Sequence, residues 1–226
     1  AQDKELTKKL LASAGVPVPL GREITSAEEA WAAAGEIGLP VVIKPKNGNQ
    51  GKGVTVNITT REQLLKAYAA ASEFDNEILV ERFLPGNDFR LLVVGNKLVA
   101  AARRDPPTVV GDGVHTIRAL VEQVNQDPRR GTGHSTSLTK IRFDDIALAC
   151  LAGQGLNADS VPASGRRVSL RHNANLSTGG SATDVTDDVH PEVAHRAIIA
   201  AKMVGLDICG VDMVCDNILQ PLEETG

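Results

Sequence analysis

Lys44-Pro45-Lys46-Asn47-Gly48-Asn49-Gln50-Gly51-Lys52-Gly53 sits between a short apolar run, Pro40-Val41-Val42-Ile43, and an alternating one, Val54-Thr55-Val56-Asn57. Three glycines and three lysines share ten residues with three side-chain amides. Glycine lets backbone N–H groups approach an oxyanion closely, and lysine supplies charge to hold it. The flanking runs read as strands, so the segment joins two strands of a hairpin. The same composition also suits a plain surface hairpin, and both readings stand on this stretch alone. A P-loop needs Lys-Ser/Thr after its second glycine, and here Gly53 is followed by Val54. A dinucleotide fingerprint needs G-x-G-x-x-G opening a helix, and these glycines fall in another order.

Working outward, Leu6, Leu10, Leu11 and Ala14 mark one face of a first helix, stopped by Gly15 and the extended Val16-Pro17-Val18-Pro19. Ser26-Ala27-Glu28-Glu29 is a capping box that opens a second helix, ending near Gly38. Thr60-Arg61-Glu62-Gln63 caps a third, through about Ser72, and Glu77–Glu81 reads as a strand. Pro85-Gly86-Asn87 turns into a strand over Asp88–Val94, and Gly95-Asn96 reverses it into Lys97–Arg103. Helices are expected near Ile117–Asn125, Asp144–Leu151 and Pro191–Val204, the last ending at Gly205. Residues 105–165 read as an excursion from the main sheet, 173–184 as a polar loop, and Ile208–Val214 as a last strand. Hairpins alternating with helices predict mixed α/β (α+β) layers rather than a doubly wound parallel sheet. Two subdomains are expected, 1–82 and 83–226.

The chain has 226 residues, enough to bury a substantial core. Its net charge of -4 and pI of about 5.8 argue against a nucleic-acid or membrane-surface partner, so local basic clusters are expected to serve a small anion. No run approaches a membrane span, and AQDKELTKKLL lacks a signal-peptide apolar region. Three cysteines, Cys150, Cys209 and Cys215, form no CxxC pair and fit reduced thiols. A cytoplasmic protein is expected.

Several other residues could carry chemistry. Glu81 to Asp88, ERFLPGND, joins two strands, where free backbone groups could hold a base edge and a carboxylate could reach a ribose; taken alone, the segment reads more readily as an ordinary linker with a solvated acidic residue. Arg90, Arg103 and Arg104 lie on hairpin strands, either exposed or holding a carboxylate or phosphate. Arg166 to Gly180 gathers arginines, amides, hydroxyls and paired glycines into a plausible anion nest. His172 there is a general base or a loop hydrogen-bonder. Asp212 interrupts an apolar strand and is either a structural carboxylate or a ligand for Mg²⁺ alongside nucleotide phosphates. Flap, hinge, ribose acid, arginines and metal carboxylate together describe an ATP site.

At that point the chain resembles the ATP-grasp ligases. KELTKKLLASAGVPVP (4–19) is similar to their entry helix, VVIKPKNGNQGKGV (41–54) to their lid loop, and ILVERFLPGNDFRLLVVGNKLVAAARR (78–104) to their hinge and central hairpin. VVGDGVHTIRALVEQVNQDPRRG (109–131) and RHNANLSTGG (171–180) narrow the resemblance to ligases that extend a polymer of aspartate and arginine, and GVDMVCDNI (210–218) is similar to the metal strand. The middle motifs also resemble bifunctional glutathione synthetases. The match covers essentially the whole chain.

The resemblance implies an ATP-grasp fold of two α+β subdomains clasping ATP. Lys44 would contact the nucleotide phosphates, and Gly48, Gly51, Lys52 and Gly53 would close the lid. Glu81 with the backbone of Arg82 and Leu84 would hold adenine, and Asp88 the ribose. Arg90, Asn175 and Ser177 would hold the peptide carboxylate or its acyl phosphate, Arg171 would neutralise the transferring phosphoryl group, and Asp212 would bind Mg²⁺. The implied reaction adds aspartate to a peptide C-terminus through an acyl phosphate. A glutathione-synthetase-type ligase and a non-catalytic nucleotide-binding module are the alternatives. The implied partners are ATP and an amino-acid or peptide polymer, with a homo-oligomer of the full-length protein possible.

Two departures from the pattern stand out. The lid more often reads GNHGRG, and Gln50 and Lys52 stand here for His and Arg. The chain stops at Gly226 before the Glu and Asn that complete the metal strand. It therefore reads as a C-terminally truncated fragment, inactive or very weak alone.

Overall fold

The structure is a computed structural model that describes residues 4–47, 53–132 and 136–222. Gly48, Gln50, Gly51 and Lys52 lie outside the described residues.

In chain order the elements are α1 (Lys4–Ser13), β1 (Gly21–Ile24), α2 (Ala27–Ile37), β2 (Val41–Pro45), β3 (Thr55–Ile58), α3 (Arg61–Ser72) and β4 (Ile78–Arg82). Then follow β5 (Asn87–Val94), β6 (Lys97–Asp105), β7 (Thr108–Val110), α4 (Ile117–Asn125), β8 (Arg130–Gly131), β9 (Leu138–Thr139) and α5 (Asp145–Gly153). Last come β10 (Arg167–Ser169), β11 (Ser181–Asp184), α6 (Pro191–Val204) and β12 (Ile208–Cys215), with short 3₁₀ turns at Leu176–Thr178 and Thr186–Asp188.

The residues group into two compact units whose segments interleave. Unit 1 comprises Ala1–Gly86, Leu91–Val99 and Asp188–Gly226, and unit 2 comprises Asn87–Arg90 and Ala100–Asp187. Neither unit is one continuous stretch, so the subunits of the fold do not follow a single cut in the sequence.

Unit 1 is built on an antiparallel sheet of order β1-β4-β2-β3. Successive side chains of a strand point to opposite faces. Ile78 and Val80 of β4, with Val41 and Ile43 of β2, join Ala30, Ala33 and Ala34 of α2 and Leu64, Ala67 and Ala71 of α3 in one dry cluster. Both helices begin where the sequence places them, though at α2 the Glu29 carboxylate accepts from Thr25 N–H instead of closing a box on Ser26. Ser26 Oγ accepts from Glu29 N, and Thr60 Oγ1 accepts from Gln63 N while the Gln63 side chain returns to the Thr60 backbone. The other face of β4 carries Leu79 and Glu81. Beside the sheet, α1 packs with α6, and the Arg196 guanidinium donates to the Gly15 carbonyl.

The expected apolar face of α1 is rotated: Leu6 is exposed while Lys8 is half-buried, because Lys8 turns inward toward Glu81. β1 is an element the sequence did not announce. Its Gly-Arg-Glu-Ile carries too few apolar residues to show a period, yet pairs with β4 residue for residue from Gly21↔Glu81 to Ile24↔Ile78.

Unit 2 packs α4 and α5 against β7 and β10. Val109, Ile117, Leu120, Val121, Ile141, Ala147, Leu151, Val168 and Leu170 form its core. β10 pairs with β7, and β11 with the base of β6, both antiparallel. β11, Ser-Ala-Thr-Asp, falls within the stretch read as a polar loop; it has no apolar alternation to betray a strand.

Candidate functional site

β2 and β4 run antiparallel with Lys44 opposite Leu79 and Val42 opposite Glu81. Lys44 and Glu81 therefore stand diagonally on the sheet face away from the helical cluster, within reach of long side chains. Lys44 Nζ donates to Glu81 Oε2 at 2.5 Å, and Lys8 Nζ of α1 donates to Glu81 Oε1 at 2.9 Å. Glu81 is 6% exposed. Burial alone would push its carboxyl up, but the Lys44 charge and hydrogen bonds from Lys44 and Lys8 outweigh that and hold it below the usual glutamate range. A buried carboxylate with two cations leaves the trio one positive charge in excess.

Gly21 makes room for this arrangement. A Cβ there would lie 2.6 Å from Glu81 Cγ and 2.6 Å from the Val80 carbonyl oxygen. The glycine-rich stretch is anchored at both ends. Lys46 N–H donates to the Glu77 carbonyl at 2.8 Å, and Lys46 Nζ pairs with Glu23 at 2.6 Å. Asn47 N–H and Nδ2 both donate to Asp75 Oδ2 at 2.9 Å. At the far end Gly53 has φ +66, and a Cβ there would meet Phe74 at 2.7 Å and Pro45 at 2.9 Å.

Past β4, Arg82 N–H is committed to the Leu20 carbonyl at 2.7 Å and Phe83 N–H to Pro40 at 3.0 Å. Leu84 lies outside the strand, exposed, with no backbone hydrogen bond to another described residue. Asp212, on β12 of unit 1, is exposed and has an electrostatic or hydrogen-bonding partner. Among the described residues no group of three or more His, Cys, Asp or Glu side chains could hold a metal ion. Asp212 offers one hard oxygen donor, which suits contact with a nucleotide-bound Mg²⁺ but does not make a closed protein site.

In unit 2, Asp88 is the second residue of β5, and its Oδ1 accepts from Arg104 Nε at 2.9 Å and Nη2 at 2.5 Å across the hairpin. Arg90 stands on the exposed face of β5, opposite to Phe89. Arg171 is 7% exposed and its Nη2 pairs with Asp144 Oδ2, while Asp144 Oδ1 caps α5 through Ala147 N–H at 3.0 Å.

The segment from Asn173 to Gly180 is a tight loop. The Asn175 carbonyl accepts from Thr178 N, Thr178 Oγ1 and Gly180 N, and Thr178 Oγ1 also reaches Asn173 Oδ1 at 2.9 Å. Ser177 is exposed and Asn175 partly so. A Cβ on Gly180 would meet the carbonyl oxygens of Ala174, Asp105 and Asn175 at 2.9–3.0 Å. His172 is exposed, and its Nε2 lies 3.8 Å from Cys150 Sγ, whose thiol is pushed up by burial.

Sequence reasoning missed two residues here. Arg130 Nη1 donates to the carbonyls of Thr139 (2.7 Å) and Gly179 (2.8 Å), tying β8 to the loop's end. Lys8 looked like one more solvated charge on an amphipathic helix. Its burial and its neighbour across the fold, Glu81, distinguish it from the exposed Lys9.

Residues 1–108 match the RimK-like ATP-grasp domain family. Along its length the chain is 49% identical over 227 residues to a cyanophycin synthetase of Crocosphaera subtropica, covering 99% of this chain and 26% of that protein. The crystal structure of a bifunctional glutathione synthetase from Pasteurella multocida superposes with a TM-score of 0.63 at 41% identity, over 96% of this chain and 30% of that one. The ATP-grasp ligase PsnB, complexed with a phosphomimetic variant of its minimal precursor, Mg and ADP, shares the fold at 17% identity and a TM-score of 0.50, over 94% of this chain and 45% of that one. The chain spans about a quarter to a third of the length of the first two relatives. No helix among the described residues is long and apolar enough to cross a membrane.

Proposed function

We propose that the chain, whose residues 1–108 match the RimK-like ATP-grasp domain, is the nucleotide-binding part of an ATP-dependent carbon–nitrogen ligase of the cyanophycin synthetase type. A carboxylate oxygen at the C-terminus of an aspartate–arginine peptide attacks the γ-phosphorus of ATP. ADP leaves and an acyl phosphate forms. The amino group of aspartate then attacks the acyl carbon, inorganic phosphate departs, the nitrogen loses a proton, and the amide is made.

The support is 49% identity along nearly the whole chain, joined to the cationic Lys8–Glu81–Lys44 trio beside a lysine- and glycine-rich loop. Lys44 is the cation for the nucleotide phosphates, with Gly48, Gly51, Lys52 and Gly53 as the lid. Glu81, Arg82 and Leu84 border the adenine. The Arg82 N–H is already spent on Leu20, so the free backbone of Leu84 and the Arg82 carbonyl side are the groups left for the base edge. Asp88, steadied by Arg104, faces the ribose; Arg90, Asn175 and Ser177 take the peptide carboxylate. Arg171, whose charge Asp144 shares, is the cation for the transferring phosphoryl group. Preorganised cations of this kind supply most of the stabilisation in phosphoryl transfer. Mg²⁺, contacted by Asp212, would add Lewis-acid neutralisation of the phosphates.

A glutathione-synthetase-type ligase is the second reading, favoured by the 0.63 TM-score. ADP release by the full-length protein separates the two. Aspartate–arginine peptides with free aspartate, arginine or β-aspartyl-arginine are expected to stimulate it; stimulation only by γ-glutamylcysteine plus glycine would transfer the assignment. Lys44→Ala is expected to lower nucleotide-dependent turnover by at least about a hundredfold, the scale of losing one preorganised charge contact. Retained turnover would remove Lys44 from the site.

A further inference from the structure

Glu81 presents an electrostatic problem that Lys44 alone cannot solve. If Lys44 turns to an anionic ligand, the carboxylate it leaves is 6% exposed, and an abandoned buried charge is costly. The second lysine changes this. Lys8 Nζ holds Oε1 while Lys44 Nζ holds Oε2, so each carboxylate oxygen has its own ammonium group. Lys8 reaches in from α1 and its side chain is 16% exposed, against 27% for Lys44. The more buried lysine belongs to α1, which packs on α6, and the more exposed one to the strand that runs into the glycine-rich stretch. The trio therefore contains a fixed counter-charge and a transferable one.

We propose that Lys8 is a positioning residue for nucleotide binding: by remaining on Glu81 as its standing counter-ion, it allows Lys44 to swing from Glu81 to the phosphates without stranding a buried carboxylate. This rests on the assignment of Lys44 to the nucleotide phosphates. Without Lys8, Glu81 has Lys44 as its sole cation in the trio and holds it in competition with the ligand. The penalty then falls on phosphate recognition, and a ligand that offers no phosphate does not meet it.

That asymmetry is the test. ATP, ADP and adenosine are titrated by calorimetry into the full-length protein carrying Lys8→Met, Lys8→Gln or Lys8→Arg, each checked for native circular dichroism. Lys8→Met and Lys8→Gln are expected to weaken ATP binding about ten- to a hundredfold, a range set by breaking a partly solvated rather than fully buried pair. ADP should be weakened as well, adenosine should change by less than about twofold, and Lys8→Arg should recover most of the ATP affinity. ATP affinity unchanged in a folded Lys8→Met or Lys8→Gln protein overturns the proposal. So does an equal loss for adenosine and ATP, which marks Lys8 as a structural prop for α1. If the unaltered protein binds adenosine and ATP equally, Lys44 does not meet phosphate, and the assignment beneath the proposal falls first.

Discussion

Folding takes the Glu81 carboxyl out of water and places it between two ammonium groups, and its proton affinity falls below the usual glutamate range because the Lys44 and Lys8 interactions outweigh burial. A group whose folded pKa is depressed binds fewer protons in the native state, so stability rises with pH through its titration. Its contribution is fully present above the ordinary glutamate value of about 4.3 and is lost as pH falls through the lower folded value. Acid unfolding followed by the fluorescence of Trp31, the single tryptophan, which packs on the unit 1 core, is expected to steepen in that window. Glu81→Gln should flatten that part of the acid limb. An unchanged limb would mean the two lysines contribute nothing net to folding. At this scale the sequence pointed to Lys44 because glycine and lysine density marks a phosphate loop. It could not join Lys44 to Glu81, which depends on the antiparallel register of two strands 37 residues apart. Lys8 was less legible still, since a lysine on a helix is ordinarily a solvated charge.

Helix termini were the most readable elements. Ser26, Thr60 with Gln63, and Gly205 act locally, through hydrogen bonds to their own turns, so their effect is written within a few residues. β1 and β11 were not readable because each is four residues, mostly polar, and made a strand by a distant partner. Asp144 illustrates both kinds of information. Its capping of α5 is local, whereas its pairing with Arg171 is not. Asp144→Ala removes both and is expected to cost about 2–4 kcal/mol, combining a lost cap with a buried guanidinium left without its carboxylate. Asp144→Asn keeps an acceptor for Ala147 N–H and loses the charge, and should cost roughly half as much by the same reckoning. Urea unfolding measures both; identical losses would show that the cap adds nothing.

At the scale of the whole molecule, the segments of the two units alternate along the chain. The chain passes between unit 1 and unit 2 at 86/87, 90/91, 99/100 and 187/188, and the β5–β6 hairpin gives its tip to one and its base to the other. The mixed α+β character and the hairpin were legible; the interleaving was not, because which segments cluster is decided by long-range packing. Leu170→Ala opens a cavity in the unit 2 core and should cost about 2–5 kcal/mol. With four crossings joining the units, the far-UV circular dichroism midpoint and the Trp31 fluorescence midpoint are expected to shift together. A shift in the first alone would show that the units melt separately.

The interleaving also bears on the order in which the protein is made. α6 and β12 belong to unit 1, yet they lie C-terminal to all of unit 2. A ribosome that has released residue 86 has supplied the β1-β4-β2-β3 sheet but not the helix against which α1 rests, nor the strand that carries Asp212. Synthesis proceeds at about 5–20 residues per second, so the hundred or so residues that intervene hold α1 waiting for roughly 5–20 s. During that interval the Lys8–Glu81 contact ties α1 to the sheet. The same ion pair that frees Lys44 in the finished protein would thus also keep the first helix in place during translation.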